Sequence, residues 1–285
     1  MMLTRLDMIR GLKSLHEIRA TDPVQEELRG WYYYSPPVKP RAYLSLSISD
    51  VAYAYCPTKR DVYLRKVTGS KGNYEKPQII NGTAIHKVFY KASKDVWSII
   101  SLGKDPIESF NSLAPELECP QNLQNYCIKL YKYLTMLWLS EVAKARSSYG
   151  GESIGLVPWL SEVRVDGSML GLSNRLSIDA IADFSIIEIK TGKQEDFHKL
   201  GVVGYALAIE SSMEIPIDYG FLIYVNGFNR DSIEISTNAI YISSDLRKEF
   251  LDRRDDVIDM ILSEKDPGMP ASCPDSCPFI EVCRK

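Results

Sequence analysis

Apolar residues follow helical spacing in the first half of this chain and form strand-like runs in the second. Leu6, Ile9, Leu12, Leu15 and Ile18 predict an amphipathic helix over residues 6–20. Trp31-Tyr32-Tyr33-Tyr34 and the proline-rich Ser35-Pro36-Pro37-Val38-Lys39-Pro40 read as an irregular connector. Ser47 or Ser49 can cap a helix over residues 50–67, which Gly69 to Gly72 ends. Gly82 precedes a second helix over residues 83–100. A loop with Pro106, Pro115 and Pro120 leads to a long helix over residues 123–147, stopped by Gly150-Gly151. Strands are then expected over residues 160–165 and 168–172, followed by a hairpin over 177–190. A helix over 197–211, a buried strand over 219–225, one or two strands within 232–242 and a helix over 245–262 complete the pattern.

Helices first, then strands with a crossover helix between neighbours, predict an α/β fold. Its core is a mixed central sheet with flanking helices, behind a helical N-terminal part. The expected divisions are an extension at 1–46, a helical part at 47–150, an α/β core at 151–262 and a tail at 263–285. The tail is expected to form one compact unit with 47–150. No internal repeat or low-complexity segment is present.

The hairpin carries the chemistry. With its turn on Asp183-Phe184, Ala182 faces Ser185 and Asp179 faces Glu188, and Lys190 shares the face of Glu188. Two carboxylates directly opposite repel unless positive charge lies between them. Solvated strand charges are the alternative reading. The near-continuous apolar run of Ile178, Ile181, Ile186, Ile187 and Ile189 favours strands buried on both faces, where charges need partners or a metal. Two acids and a lysine there fit a divalent-metal site for phosphodiester cleavage.

At 285 residues, 45% apolar, 25% charged and net charge −3, the chain has ordinary globular composition and no global basic field. Nucleic-acid contact would therefore come from local patches. Neither a signal-peptide core nor a bilayer-length apolar run is present, so a soluble, cytoplasmic protein without a membrane partner is expected.

Six cysteines in such a chain point to metal or cluster chemistry. Cys273, Cys277 and Cys283 crowd the tail with prolines after two of them, and Cys56, also before a proline, is the best fourth ligand. An iron–sulfur cluster, a zinc ion and disulfides are the three alternatives, and the absence of Cys-x-x-Cys knuckles sets the cluster ahead of zinc. Cys119 and Cys127 read as small buried apolar residues.

The run from Ser49 through Arg60 with its lone cysteine, Gly82-Thr83-Ala84-Ile85-His86, Asp179, Glu188-Ile189-Lys190-Thr191-Gly192 and the last three cysteines together resemble a known superfamily. It is that of the RecB-type nucleases, and within it the CRISPR-associated RecB-like nucleases with an iron–sulfur cluster (the Cas-four family). The resemblance runs from about residue 47 to the end. Glu26-Glu27-Leu28-Arg29-Gly30-Trp31 and Pro36-Pro37-Val38-Lys39-Pro40-Arg41-Ala42-Tyr43 are similar to the Csa-one branch of archaeal type I-A systems.

This resemblance implies a RecB-like, restriction-endonuclease-type core. It implies His86, Asp179, Glu188 and the Ile189 backbone carbonyl as ligands of Mg²⁺ or Mn²⁺, and Lys190 as the catalytic lysine. Cys56, Cys273, Cys277 and Cys283 would hold a 4Fe-4S cluster, with Zn²⁺ as the alternative. The implied activity is a DNA exonuclease that trims ends during CRISPR adaptation, with DNA, the integrase and other adaptation proteins as partners. A non-catalytic subunit binding DNA ends or the integrase is the alternative.

The chain departs from the family at Gly201, where a glutamine usually stands four residues before the tyrosine, here Tyr205; neither Gln194 nor His198 has the right spacing. The departure bears on substrate positioning. Lys59, Arg60, Lys193, Lys199 and Tyr205 are the candidate DNA contacts. Arg65, Lys66 and Lys71 extend the basic stretch, and Tyr53 and Tyr55 are stacking platforms or core residues.

Overall fold

The computed structural model of the protein describes residues 4–149, 160–228 and 232–284, so the Gly150-Gly151 helix stop lies outside the described residues. The order is α1 (Arg5–Thr21), α2 (Ile48–Ala52), α3 (Arg60–Lys66), α4 (Pro77–Ser101), α5 (Pro106–Ser112), α6 (Gln124–Tyr149), β1 (Leu160–Val165), β2 (Leu176–Ala182), β3 (Ser185–Thr191), α7 (His198–Met213), β4 (Tyr219–Asn226), β5 (Glu234–Tyr241), α8 (Ser244–Ser263) and α9 (Ile280–Cys283).

Among the described residues the strands form one five-stranded sheet in the order β1-β2-β3-β4-β5. Only β3 and β4 run parallel, and α7 makes the crossover between them. The fold is therefore mixed α/β, as the apolar pattern predicts. One sheet face, with Ile186, Leu222 and Tyr224, packs on α2, α7 and α8. The other, with Ala180, Ala182, Ile187, Ile189, Phe221, Ile223 and Val225, packs on α4 and α6. Coverage on both sides explains why β3 and β4 read as unbroken apolar runs.

Several elements differ from the sequence expectation, each for a local reason. The expected strand over 168–172 is a 3-10 turn at Ser168–Leu170. Asp166 Oδ1 accepts from Ser168 N–H, and Gly171 takes a positive φ that ends the turn. The helix expected over 50–67 is split into α2 and α3. Ser47 and Asp50 form a capping box at the start of α2. Tyr53 then turns extended, and Pro57 keeps the following loop out of a helix.

Helix α4 begins at Pro77, not after Gly82, because proline fits the first helical turn. The sequence reading missed α5, which Asp105 caps and Pro106 starts. Residues 232–242 give a single strand, β5. The stripe expected to be buried on α1 is largely exposed at Leu6, Ile9 and Ile18. The helix instead lies along β5, burying Met8 and hydrogen-bonding His16 and Arg19 to Tyr219 and Asp218.

Cys119 and Cys127, expected to be separate buried residues, form a disulfide. Cys119 lies in the loop before Pro120 and Cys127 in the first turn of α6, so the chain reversal there brings the two thiols together.

An ion network fixes the N-terminal connector. Glu210 on α7 has no solvent exposure and accepts from Arg29 (2.8 Å), twice from Arg247 (2.7 and 2.9 Å), and from the Gly30 and Ile217 N–H groups. Arg29 also meets Asp218 at 2.5 Å. Gly30 is needed for the close approach, since a Cβ there would lie 2.1 Å from the Leu207 carbonyl oxygen.

Candidate active site

The turn joining β2 and β3 has positive φ at both Asp183 and Phe184, the backbone a tight two-residue hairpin turn requires. It sets the register Ala182↔Ser185, Ile181↔Ile186 and Ala180↔Ile187. Asp179, the next residue out, turns its carboxylate to the backbone, and Oδ2 accepts from the Ile189 N–H at 2.7 Å. Its other oxygen accepts from His86 Nδ1 on α4 at 3.0 Å. Glu188 and Lys190 project from β3 beside it, toward α7. Lys190 Nζ donates to Glu188 Oε1 at 2.6 Å and to the Tyr53 hydroxyl at 2.6 Å. The Tyr53 O–H in turn donates to Glu188 Oε1.

Burial and charge push the two acids apart. Burial would raise Asp179, but His86, Lys190 and the Ile189 N–H together hold it below the ordinary aspartate range. Burial raises Glu188 above the usual glutamate value; Lys190 opposes this and the Asp179 charge adds to it. Burial works against the His86 imidazolium, but Asp179 outweighs it and raises His86. Burial also raises Tyr53 well above the usual phenol range, so it stays a neutral donor.

The donor chemistry fits a hard divalent cation, because Asp179 and Glu188 offer carboxylate oxygens and His86 an imidazole. Glu188 Oε2 is buried without a hydrogen-bond partner, the kind of atom a cation would satisfy. In the structure the side chains are turned on one another. Among the described residues no three His, Cys, Asp or Glu side chains stand together as an ion-holding group. The contact Ile189 makes to the site runs through its N–H, donated to Asp179.

Of the candidate DNA contacts, Tyr205 lies on α7 one turn beyond Gly201. Burial raises its phenol well above the usual range, and the charges of Glu188 and Asp179 add to this. Lys193 is exposed beside Glu195, and Lys199 is half-buried on α7. Lys59 and Arg60 are engaged elsewhere. The Lys59 ammonium donates to the carbonyls of Asp50, Val51 and Tyr53 at 2.9, 3.0 and 2.7 Å, closing the end of α2, and burial lowers it to about 8. Arg60 grips Asp266 with Nε and Nη2.

The amide missing at Gly201 is not supplied by its neighbours. Gln194 bonds Ser236, and His198, lowered to about 4 by burial and Lys190, is held between Tyr55 and Tyr224.

The cysteine-rich tail folds back on the loop that carries Cys56. Thr58 donates to the Gly268 carbonyl at 2.9 Å, Asn73 N–H to the Pro278 carbonyl at 2.8 Å, and Lys76 to the Asp275 carbonyl at 2.5 Å. Leu64, Phe279 and Cys283 form a small apolar core there. Cys56, Cys273, Cys277 and Cys283 are all free thiols. Burial raises Cys277 and Cys283, and Cys56 and Cys273 add to both, but among the described residues no three of these thiols stand together as an ion-holding group. Sequence alone put nothing between these cysteines and the acids. The structure supplies Tyr53, three residues before Cys56 and in contact with both Glu188 and Lys190.

Over residues 2–285 the chain matches the family described as CRISPR-associated exonuclease Csa1. It is 34% identical over 289 residues to the CRISPR-associated exonuclease Csa1 of Thermoproteus tenax, covering 99% of this chain and 100% of that one. It is 36% identical over 299 residues to the protein of the same name from Saccharolobus solfataricus, covering 99% of each. The crystal structure of SSO0001 aligns with 56% of this chain and 85% of its own at 16% identity and a TM-score of 0.23, too distant a likeness to support any argument. By the full-length match and both relatives, the chain belongs to the CRISPR-associated exonuclease Csa1 family.

Proposed function

We propose that the protein is a Mg²⁺- or Mn²⁺-dependent DNA nuclease that trims DNA ends for spacer acquisition in CRISPR adaptation, working beside the integrase. The observation that carries the reading is a pair of adjoining contacts at one end of the β2–β3 hairpin, His86 with Asp179 and Lys190 with Glu188. The name shared by both relatives agrees with it.

Asp179, Glu188 and His86, with the Ile189 carbonyl, would hold the cation, which when bound supplies positive charge against the charge building on the phosphate. Lys190 brings its ammonium to the same spot, where it can donate to a phosphate oxygen in the transition state. Of the four basic candidates, Lys193 and Lys199 are not tied up as Lys59 and Arg60 are and can meet a DNA backbone, and Tyr205 stands beside the acids.

In the test, anaerobically purified protein is incubated with end-labelled single- and double-stranded DNA plus Mn²⁺, with a chelator and with Asp179→Ala as controls. Cleavage that both controls abolish supports the reading. DNA binding without cleavage would move it to an end-binding subunit, and equal cleavage by wild type and Asp179→Ala would remove the hairpin as the site.

We propose a 4Fe-4S cluster on Cys56, Cys273, Cys277 and Cys283, with zinc as the alternative, since both take four thiolates and all four thiols are free. Anaerobic protein is expected to show broad visible absorption that bleaches on iron chelation. Colourless protein containing stoichiometric zinc would replace the cluster with zinc.

A further inference from the structure

Lys190 touches one group besides Glu188 that is not expected from the hairpin. The Tyr53 hydroxyl accepts from Lys190 Nζ at 2.6 Å and donates to the same Glu188 oxygen that Lys190 contacts, closing a three-membered ring of hydrogen bonds. The aromatic ring adds a second hold, with Lys190 Nζ 4.3 Å from its centroid. A lysine side chain has several rotatable bonds, and two contacts from one rigid phenol remove most of that freedom.

Tyr53 is itself fixed. Its N–H donates to the Ser49 carbonyl as the cap of α2, and its carbonyl accepts from Lys59 at 2.7 Å. Its ring also packs edge-on against Tyr55 and His198.

Gly201 completes the arrangement from the other side. A Cβ at that position would lie 2.5 Å from Glu188 Oε2 and 2.7 Å from the Tyr53 hydroxyl. The space a side chain on α7 would fill is taken by the tips of Tyr53 and Glu188. The phenol and the bare glycine are therefore two halves of one feature, and the loop leading to Cys56 reaches the reacting groups through it.

We propose that Tyr53 is a positioning residue for phosphodiester cleavage, holding the Lys190 ammonium against Glu188 in the space that Gly201 leaves open. This rests on the nuclease reading above and names a residue that acts through Lys190 without contact to the substrate.

Tyr53→Phe keeps the ring and removes the hydroxyl. It is expected to lower kcat about 10- to 100-fold, the range of a lost hydrogen bond to a charged group, with KM for DNA and the thermal midpoint nearly unchanged. Gly201→Ala should also lower kcat, since the new methyl displaces the same two tips. A second readout needs no activity. In protein labelled with ¹³C at the lysine ε-carbons, the Lys190 signal, assigned by its loss in Lys190→Arg, should be shifted by the Tyr53 ring. Tyr53→Leu should return it to the ordinary lysine position, whereas Tyr53→Phe should not.

Full kcat in Tyr53→Phe, with wild-type cleavage that Lys190→Ala strongly lowers, overturns the role of Tyr53 and leaves the nuclease reading standing. Absence of cleavage by the wild type overturns the nuclease reading. In that case the ε-carbon signal still decides whether Tyr53 holds Lys190, and a signal indifferent to Tyr53→Leu removes the contact as well.

Discussion

Lys190→Ala is expected to lower the rate of DNA cleavage roughly 10²–10³-fold while leaving DNA affinity nearly intact, the loss seen when one preorganised donor to a developing negative charge is removed. Two effects add. The ammonium that would meet a phosphate oxygen is gone, and Glu188 and Asp179 lose the cation that lowers both. Glu188, already raised by burial, goes higher still, because the Asp179 charge beside it is no longer opposed. Both carboxylates must be ionised to serve as cation ligands. The acidic limb of the residual activity should therefore move to higher pH in Lys190→Ala, since a raised carboxyl ionises only at higher pH. The check is a pH series of single-turnover rates on end-labelled DNA, with affinity measured separately by fluorescence anisotropy. A variant that cleaves at the wild-type rate would sink the assignment of Lys190. One that merely loses DNA binding would make it a contact residue.

The hairpin could be read from the sequence because its information is local. Apolar runs, an Asp-Phe turn and the two-residue period fix which residues face each other, and the register Ala182↔Ser185 follows. Asp179, Glu188 and Lys190 lie within twelve residues, so their convergence needs no knowledge of the rest of the fold. His86 is legible only through the resemblance, since a histidine on a helix has no periodicity that marks it as a ligand. In sequence Tyr53 looks like a stacking platform or a core residue. Its contact with Lys190 spans 137 residues and exists only because Tyr53 leaves α2 at its C-terminal end, a break that helical spacing over 50–67 concealed.

Lys59 shows the converse error. In sequence it belongs to the densest basic stretch, yet in the fold it closes the end of α2 through three carbonyls. Charge counts along a chain do not distinguish a solvated lysine from one that satisfies a helix terminus. The Cys119–Cys127 disulfide is hidden for a similar reason, because Cys127 sits within an apolar stripe of α6 and its partner lies in a loop with no pattern.

Glu210→Gln is expected to cost about 3–5 kcal/mol of folding stability, the range for removing one partner from a buried ion pair. Nothing in the sequence distinguishes this glutamate, which ends an apolar helical run and looks like a surface residue. In the fold it is fully buried and accepts from Arg29, from both terminal nitrogens of Arg247, and from two backbone N–H groups. Glutamine keeps the shape, so no cavity is made. It removes the charge, and it turns an NH₂ toward donors that need an acceptor. Arg247, without solvent exposure, is then left facing Asp218 at 3.7 Å as its nearest remaining carboxylate, which sets the loss toward the lower end of that range.

Acid should weaken the same network. Burial would raise Asp218, but the hydrogen bonds from Arg29 and Arg19 and their charges outweigh it, so its folded pKa lies below the unfolded value. A depressed carboxyl contributes stability that is complete above the unfolded value of about 4 and is lost as pH falls through the lower folded one. Urea titrations of wild type and Glu210→Gln at neutral pH measure the first effect. Repeating them at acid pH should show wild type losing stability, and a Glu210→Gln variant within about 1 kcal/mol of wild type at neutral pH would show that the connector does not depend on this charge.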